Sequence, residues 1–418
     1  MSDGYQGSIA VVGLGYIGLP TAVVLASHGR QVIGVDVNVN TVAMVSRGEL
    51  PFVEPDLVTS LSGVVALGKL TATTEMPVAD AYIIAVPTPL KDDHTADLSY
   101  VRSATEQVAP KLRPGALVVV ESTSPPGTTE AVSRWIGELR PDLRLPHDGH
   151  PAPDVNVAHC PERVLPGRIM VEMVLNDRVI GGVSDACAER AAEIYRVFSQ
   201  GQILLCDAAS AEMVKLVENS YRDVNIAFAN ELSMVCDALG LDVWEVIRMA
   251  NCHPRVNILQ PGPGVGGHCI AVDPWFIVGA APEQSVLIRT AREVNNSKPH
   301  YVVNQIVRTA QRFREPVIAC LGLTFKANVD DLRESPAVEI VAELAAQLPD
   351  VRIFACDPLV SALPDQLADI ANLEFGRANA VIPLADVVVL LVDHTAFKNL
   401  PKRILEGKVI YDTRGAWR

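Results

Sequence analysis

The sequence has no CxxC pair, and its eight cysteines are scattered without any spacing that suits a metal. That excludes a zinc module and favours reduced thiols in a cytoplasmic chain over a disulfide framework. No apolar run approaches the roughly 20 residues needed to span a bilayer, and the Met1–Gly7 stretch is polar, without a signal-peptide pattern. Positive charge is also scarce. Lys and Arg number 35 against 49 Asp and Glu, a formal charge of −14, which argues against a nucleic-acid partner. A chain this acidic must hold any phosphate through local donors and a few basic side chains. What is plentiful is apolar character, 49 % of 418 residues, enough core for two or three domains.

One thiol stands apart from the others. Gly262-Pro263-Gly264-Val265-Gly266-Gly267-His268-Cys269 places it in a loop with four glycines in eight residues, and Asp273 follows four residues later. Such a loop offers little side chain to pack and lets main chain approach a ligand closely. A cysteine displayed this way suits a nucleophile with a nearby carboxylate as base. The other reading is a buried, inert cysteine in a tight turn.

The N-terminal end carries a second signal. The apolar run Ser8–Val12 leads into Gly13-Leu14-Gly15-Tyr16-Ile17-Gly18 and then a helical stretch to His28. Strand, GxGxxG and helix in that order form a dinucleotide fingerprint, with the pyrophosphate on the helix N-terminus. A second strand, Gln31–Val35, ends at Asp36, where a carboxylate takes the ribose hydroxyls and repels a 2′-phosphate. No Arg or Lys follows before Arg47, so NAD is favoured over NADP.

Strands alternate with helices through the first two hundred residues. Ala81–Val86 ends at Pro87-Thr88-Pro89, and Leu117–Val120 ends at Glu121-Ser122-Thr123-Ser124-Pro125-Pro126-Gly127; ligands of open parallel sheets bind beyond such strand ends. Val155–His159 and Arg178–Gly182 read as further strands. From Ala208 to about Ala250 the apolar period becomes helical, with Lys215, Asn219 and Arg222 on another face, either a site or a solvated surface. A second helix is predicted over Pro282–Phe313, long enough to act as a spine. Four segments of the N-terminal part then recur in order: Val317–Leu323, Val351–Asp357, Ala385–Leu391 and Lys408–Thr413. They predict a second Rossmann-like unit without GxGxxG, in which Lys326, Arg333 and Arg414 either meet phosphates or are plain surface charges.

Together these motifs resemble the nucleotide-sugar 6-dehydrogenases of the UDP-glucose type. The resemblance covers nearly the whole chain through GLGYIGLP at Gly13–Pro20, VPTP at Val86–Pro89, STSPPGT at Ser122–Thr128, GPGVGGHCIAVDP at Gly262–Pro274 and FKANVDDLRESPA at Phe325–Ala337. Pro161-Glu162-Arg163-Val164-Leu165-Pro166-Gly167 is most similar to the UDP-N-acetylmannosamine branch. The resemblance implies an α/β fold. Two Rossmann-like, doubly wound parallel-sheet domains, 1–205 for NAD and 315–418 for the UDP-sugar, are joined by a central helical domain, 206–314, with a long spine helix.

It also implies a four-electron oxidation of the sugar C6 alcohol through a thiohemiacetal and thioester on Cys269. Lys215 and Asn219 match groups that stabilise the oxyanion, Asp273 and Thr123 match groups that hold water, and Glu162 lies in the matched loop. For NAD it carries over Gly13, Gly15, Tyr16, Ile17, Gly18, Asp36, Thr88, Thr123 and Arg333. For the substrate it carries over Arg163, Val164, Lys215, Asn219, Arg222, His253, Arg255, Gly266, Phe325, Lys326 and Arg414. No metal is implied. The expected partners are a UDP-amino-sugar and a second copy, as a homodimer through the central helices, with Arg255 serving the neighbouring site. His268 fits a structural role better than a proton partner for Cys269. Pro166 departs from branches that have a carboxylate near there.

Within the family the alternatives are UDP-N-acetylglucosamine and, less well matched, UDP-glucose. Outside it stand a two-electron hydroxyacid dehydrogenase, which needs no cysteine, and a nucleotide sensor without catalysis.

Overall fold

The apolar runs of the first part build one sheet, seen in a computed structural model that describes residues 5–52, 54–164, 168–267 and 269–418. Its strands are β1 (Ile9–Val12), β2 (Val32–Val35), β3 (Leu70–Thr73), β4 (Ala81–Ile84), β5 (Ala116–Val120), β6 (Val155–His159), β7 (Arg178–Gly182) and β8 (Ile203–Asp207). They lie in the order β3-β2-β1-β4-β5-β6-β7-β8. Pairing is parallel except between β6 and β7, which run antiparallel through Ala158–Gly182 and His159–Gly181. Helices cover both faces, so β1, β4 and β5 are apolar at every position and buried throughout. Alternation divides them between two cores. Ile9, Val11, Ile83 and Val119 pack with Leu19, Val23 and Leu25 on one face, while Ala10, Tyr82, Ile84 and Val118 pack with Val101, Val132 and Ile136 on the other.

The predicted repeat is a second sheet. Strands β9 (Val317–Leu321), β10 (Arg352–Cys356), β11 (Leu373–Phe375), β12 (Val387–Leu390) and β13 (Val409–Asp412) are ordered β11-β10-β9-β12-β13, all parallel. That order matches β3-β2-β1-β4-β5. The match extends to one carboxylate. At the end of β2, Asp36 accepts the N–H of Leu14 (2.8 Å) and of Asn38 (2.8 Å). At the end of β10, Asp357 accepts the N–H of Leu323 (2.8 Å) and of Leu359 (2.8 Å). The two differ in that buried His394 sits 3.2 Å from Asp357 through Nε2.

The helical segment differs from expectation in two places. The helical pattern predicted as far as Ala250 is divided: a 32-residue helix, Ala208–Leu239, stops at Gly240, whose φ of 69° is left-handed. Asp242 then caps a new helix, Val243–Ala250, by accepting the Trp244 N–H at 2.9 Å. The predicted Pro282–Phe313 spine is Val286–Ala310, 25 residues long, and so shorter than the 32-residue Ala208–Leu239 helix.

The chain forms two compact units, one of residues up to Glu218 with Trp275–Ala280, the other of Asn219–Pro274 with Ala281–Arg418. The division falls inside the Ala208–Leu239 helix, so the helical segment contributes to both units. Among the described residues no helix is long and apolar enough to cross a membrane.

Candidate active site

At the carboxyl end of β1 the chain turns into the Gly18–Ser27 helix, and glycine is required for that turn. Gly13 has a φ of 95°, and a Cβ on Gly18 would overlap the Gly13 carbonyl oxygen. Beside Gly15, by contrast, a Cβ would meet nothing within 4 Å, which leaves the turn open toward a ligand. The helix N-terminus has no side-chain cap at Ile17 and no acidic residue in its first turn, so its N–H groups suit a pyrophosphate. Asp36, fixed by its two backbone donors, holds a carboxylate at the adjacent strand end. Tyr16 is 39 % exposed and stacks on Phe52 with ring centroids 4.2 Å apart. Thr88 donates from Oγ1 to the Thr123 carbonyl at 2.5 Å, and Ser122 donates to the Val86 carbonyl at 2.7 Å, joining the ends of β4 and β5. These residues fit NAD, and Gly13, Gly15, Gly18, Tyr16, Ile17, Asp36, Thr88 and Thr123 are the ones that would hold it.

Beneath this edge lies a buried polar cluster that the sequence did not reveal. Glu121 accepts from Thr21 Oγ1 (3.0 Å) and Tyr195 OH (2.7 Å). Burial, with the nearby Glu162 charge, pushes its carboxyl up to about 7. Glu162 accepts the Arg163 N–H at 2.7 Å and both terminal nitrogens of Arg178 at 3.2 Å. Arg178 is itself sandwiched near the rings of Tyr195 and Phe198, at 5.1 and 5.0 Å. Burial pushes the adjacent Cys160 thiol up to about 12, so it stays protonated. The cluster fixes the Pro161–Val164 backbone. In that segment Arg163 pairs with Glu218 at 2.5 Å and also donates to the Asp177 carbonyl, and Val164 is half-buried. Leu165, Pro166 and Gly167 lie outside the described residues.

The Ala208–Leu239 helix has two distinct faces. Glu212, Lys215, Asn219, Asp223 and Asn230 recur at three-, four- or seven-residue spacing and form one polar face. Glu212, Asp223 and Asn230 are buried, Lys215 and Asn219 half-buried. Val217, Tyr221, Phe228, Val235 and Leu239 form an apolar stripe on the opposite face, and each is 46–72 % exposed. The usual amphipathic arrangement is reversed: the polar face is the covered one. Arg222, seven residues after Lys215 and three after Asn219, lies at the edge of the polar face and is exposed.

In the second unit the glycine loop meets several of the residues predicted for the substrate. A Cβ on Gly266 would overlap the Glu334 carbonyl, and one on Gly262 would lie 2.5 Å from Arg414 Nη1. Gly267, at a φ of 83°, passes over the Phe325 ring, which a Cβ there would approach to 3.0 Å. Arg414 lies 3.6 Å from Asp393. Lys326 is exposed at the turn where Thr324 donates to its carbonyl at 3.0 Å. Arg333 is exposed and pairs with Asp331 at 2.6 Å. Cys269 is exposed, and its carbonyl accepts the N–H of Val272 (3.1 Å) and Asp273 (2.8 Å). The Asp273 carboxylate is buried and accepts from Asn219 Nδ2. His253 and Arg255 are exposed, joined by an Arg255 N–H to His253 Nδ1 contact of 3.3 Å. His268 lies outside the described residues. Among the described residues no His, Cys, Asp and Glu cluster is placed to hold a metal.

Three consecutive matches to one family span almost the whole chain. They are the NAD binding, central and UDP binding domains of the UDP-glucose/GDP-mannose dehydrogenase family, at residues 7–199, 209–297 and 319–418. An NDP-N-acetyl-D-galactosaminuronic acid dehydrogenase of Ralstonia nicotianae is 56 % identical over 410 residues, 98 % of this chain and 96 % of that protein. A UDP-N-acetyl-D-mannosamine dehydrogenase of Escherichia coli is 52 % identical over 419 residues, 98 % of this chain and 99 % of that protein. Among solved structures, the UDP-N-acetyl-mannosamine dehydrogenase of Staphylococcus aureus superposes with a TM-score of 0.84 at 44 % identity, covering 98 % of this chain and 95 % of that one. The fingerprint turn, the paired sheets and the cysteine loop are therefore those of an NAD-dependent nucleotide-sugar dehydrogenase, and the chain belongs to the UDP-glucose/GDP-mannose dehydrogenase family.

Proposed function

We propose that the enzyme oxidises the C6 alcohol of UDP-N-acetyl-D-mannosamine to the carboxylate, a four-electron conversion carried by Cys269. The supporting observation is an exposed thiol at a backbone turn, four residues from a carboxylate that Asn219 holds in place. NAD supplies the hydride acceptor for each of two successive oxidations. Lys215 exchanges the alcohol proton, and with Asn219 it stabilises the oxyanion that develops at C6. Cys269 Sγ bonds to the aldehyde carbon and forms a thiohemiacetal, which retains the reactive aldehyde. Oxidation of that carbon leaves a thioester. Water, held by Asp273 and Thr123, adds to it; the C–S bond breaks, the carboxylate leaves and the thiol is restored. Glu162, with its oxygens occupied by the Arg163 N–H and by Arg178, contributes by fixing the Pro161–Val164 backbone. The UDP moiety falls to Gly266, Phe325, Lys326 and Arg414, with Arg163, Val164, Arg222, His253 and Arg255 completing the contacts and Arg333 meeting the cofactor.

A second reading has a specific observation behind it, because the relative that is 56 % identical is named for N-acetyl-D-galactosaminuronic acid. Comparing kcat/KM for the UDP-linked N-acetylmannosamine, N-acetylglucosamine and N-acetylgalactosamine separates the readings. The manno epimer is expected to lead by about tenfold or more, the size of one lost polar contact. A lead by either other sugar moves the assignment to that sugar.

The same reading includes a homodimer. The stripe of Val217, Tyr221, Phe228, Val235 and Leu239 returns to one helix face over 22 residues, as a helix–helix seam does. Phe228→Asp is expected to yield a monomer in light scattering; an unchanged mass would place the contact elsewhere.

A further inference from the structure

A loop built largely of glycine has few side chains with which to hold itself in place, so its position depends on what grips its backbone. At the start of the cysteine loop that grip is one buried side chain: the Gly262 N–H donates to Asn230 Oδ1 at 2.9 Å. The amide of Asn230 is in turn oriented by a relay. Asn230 Nδ2 donates to Asn295 Oδ1 at 2.9 Å, and Asn295 Nδ2 donates to Asp223 Oδ1 at 2.8 Å and to the Asp223 carbonyl at 3.1 Å. The same Asp223 oxygen accepts from Arg292 Nη1 at 2.6 Å. All four side-chain partners are buried, none more than 2 % exposed. The direction of every donor follows from the ion pair at the far end. The carboxylate takes the Asn295 NH2, which turns the Asn295 oxygen toward Asn230 and the Asn230 oxygen toward the loop.

The end of the loop is held from the same helix, by Asn219 on the Asp273 carboxylate. Asn219 and Asn230 are eleven residues apart, three helical turns, and therefore share a face. Gly262 and Asp273 are also eleven residues apart. We propose that Asn230 is a positioning residue for the reaction: with the Asn295–Asp223–Arg292 relay behind it, it fixes where the Gly262–Asp273 loop departs from the helix and so where Cys269 stands. This rests on the reading of Cys269 as the nucleophile.

The test reads the thiol itself, without any sugar. Iodoacetamide alkylation of Cys269 is followed by peptide mass spectrometry in the resting enzyme, with Cys252, the other exposed thiol, as internal reference. Asn230→Ala is expected to change the Cys269-to-Cys252 rate ratio by about threefold or more and to lower kcat by about tenfold, with KM for NAD nearly unchanged. Ile306→Ala, which opens a cavity in the apolar core of the same unit, is expected to lower the melting temperature while leaving the ratio alone. A ratio that Asn230→Ala leaves unchanged, or that Ile306→Ala shifts as much, overturns the proposal. Should Asn230→Ala fail to fold, Asn230→Ser is measured and read in the same way. Failure of the functional reading looks different: Cys269→Ser enzyme that still completes both oxidations defeats the nucleophile assignment, whatever the alkylation ratio does.

Discussion

Glu212 reaches from the Ala208–Leu239 helix to accept the backbone N–H of Gly127 at 2.6 Å, and its other oxygen takes the Thr129 N–H at 2.7 Å and the Thr129 hydroxyl at 2.5 Å. The carboxylate thus caps the Thr128–Leu139 helix and ties the Ser122–Thr128 segment to the helix one turn before Lys215. Both oxygens face N–H donors, which an amide cannot match. Glu212→Gln is expected to cost about 2 kcal/mol in urea denaturation and Glu212→Ala about 3 kcal/mol, the range for buried donors left unmet. Equal stability of all three proteins would show that the cap is dispensable.

Glu121 sets a pH dependence. Its carboxyl, raised to about 7 from an ordinary 4.5 mainly by burial, binds its proton more tightly in the folded than in the unfolded chain. Its contribution is therefore present in full below pH 4.5 and is lost as pH rises to about 7, at most about 3 kcal/mol at 1.36 kcal/mol per tenfold change in proton affinity. Thr21 and Tyr195 meet it through hydroxyls, which rotate to accept as well as donate, so an amide is tolerated. Glu121→Gln is expected to reduce the slope of the urea midpoint between pH 5 and 8, leaving the share of Glu212, whose carboxyl burial also raises to about 7. A wild-type slope in the variant would assign the dependence to another group.

Arg178 and Glu162 form a buried pair, 4 % and 5 % exposed at the side chains. Arg178→Met leaves a carboxylate without its cation and is expected to destabilise by about 3–5 kcal/mol. Arg178→Met with Glu162→Gln should recover much of that loss. Additive effects in the double variant would contradict direct coupling.

Asp36 uses one oxygen on Leu14 and the other on Asn38, which fixes a negative charge at the carboxyl end of β2, where the proposed reading puts the ribose of NAD. Asp36→Asn is expected to weaken NAD by about tenfold in a fluorescence titration and to narrow the preference over NADP. Unchanged affinities for both would remove Asp36 from the cofactor site.

The parts legible in the sequence are those where backbone geometry forces a residue type at a fixed spacing. Gly13 and Gly18 are needed for one turn, and Asp36 follows at a strand end; the same strand-end rule made Asp357 and the second sheet readable as a repeat. The glycines around Cys269 were legible for the same reason. The break at Gly240 is a local signal that the apolar period concealed. What could not be read are pairings of single polar residues far apart in the chain. Glu212 with Gly127, Arg178 with Glu162, and Asp223 with Arg292 are separated by 85, 16 and 69 positions, and no spacing rule links them. The one available hint was the inner face of the Ala208–Leu239 helix, where Glu212, Asp223 and Asn230 continue the pattern begun by Lys215 and Asn219.

The most direct test of covalent oxidation at Cys269 is the NADH released per UDP-N-acetyl-D-mannosamine, with limiting sugar and excess NAD, for the native enzyme and for Cys269→Ser. The expected result is two NADH per sugar from the native enzyme and no more than one from the variant, which stalls after the first oxidation. One NADH per sugar from the native enzyme, or two from Cys269→Ser, would contradict the thioester route.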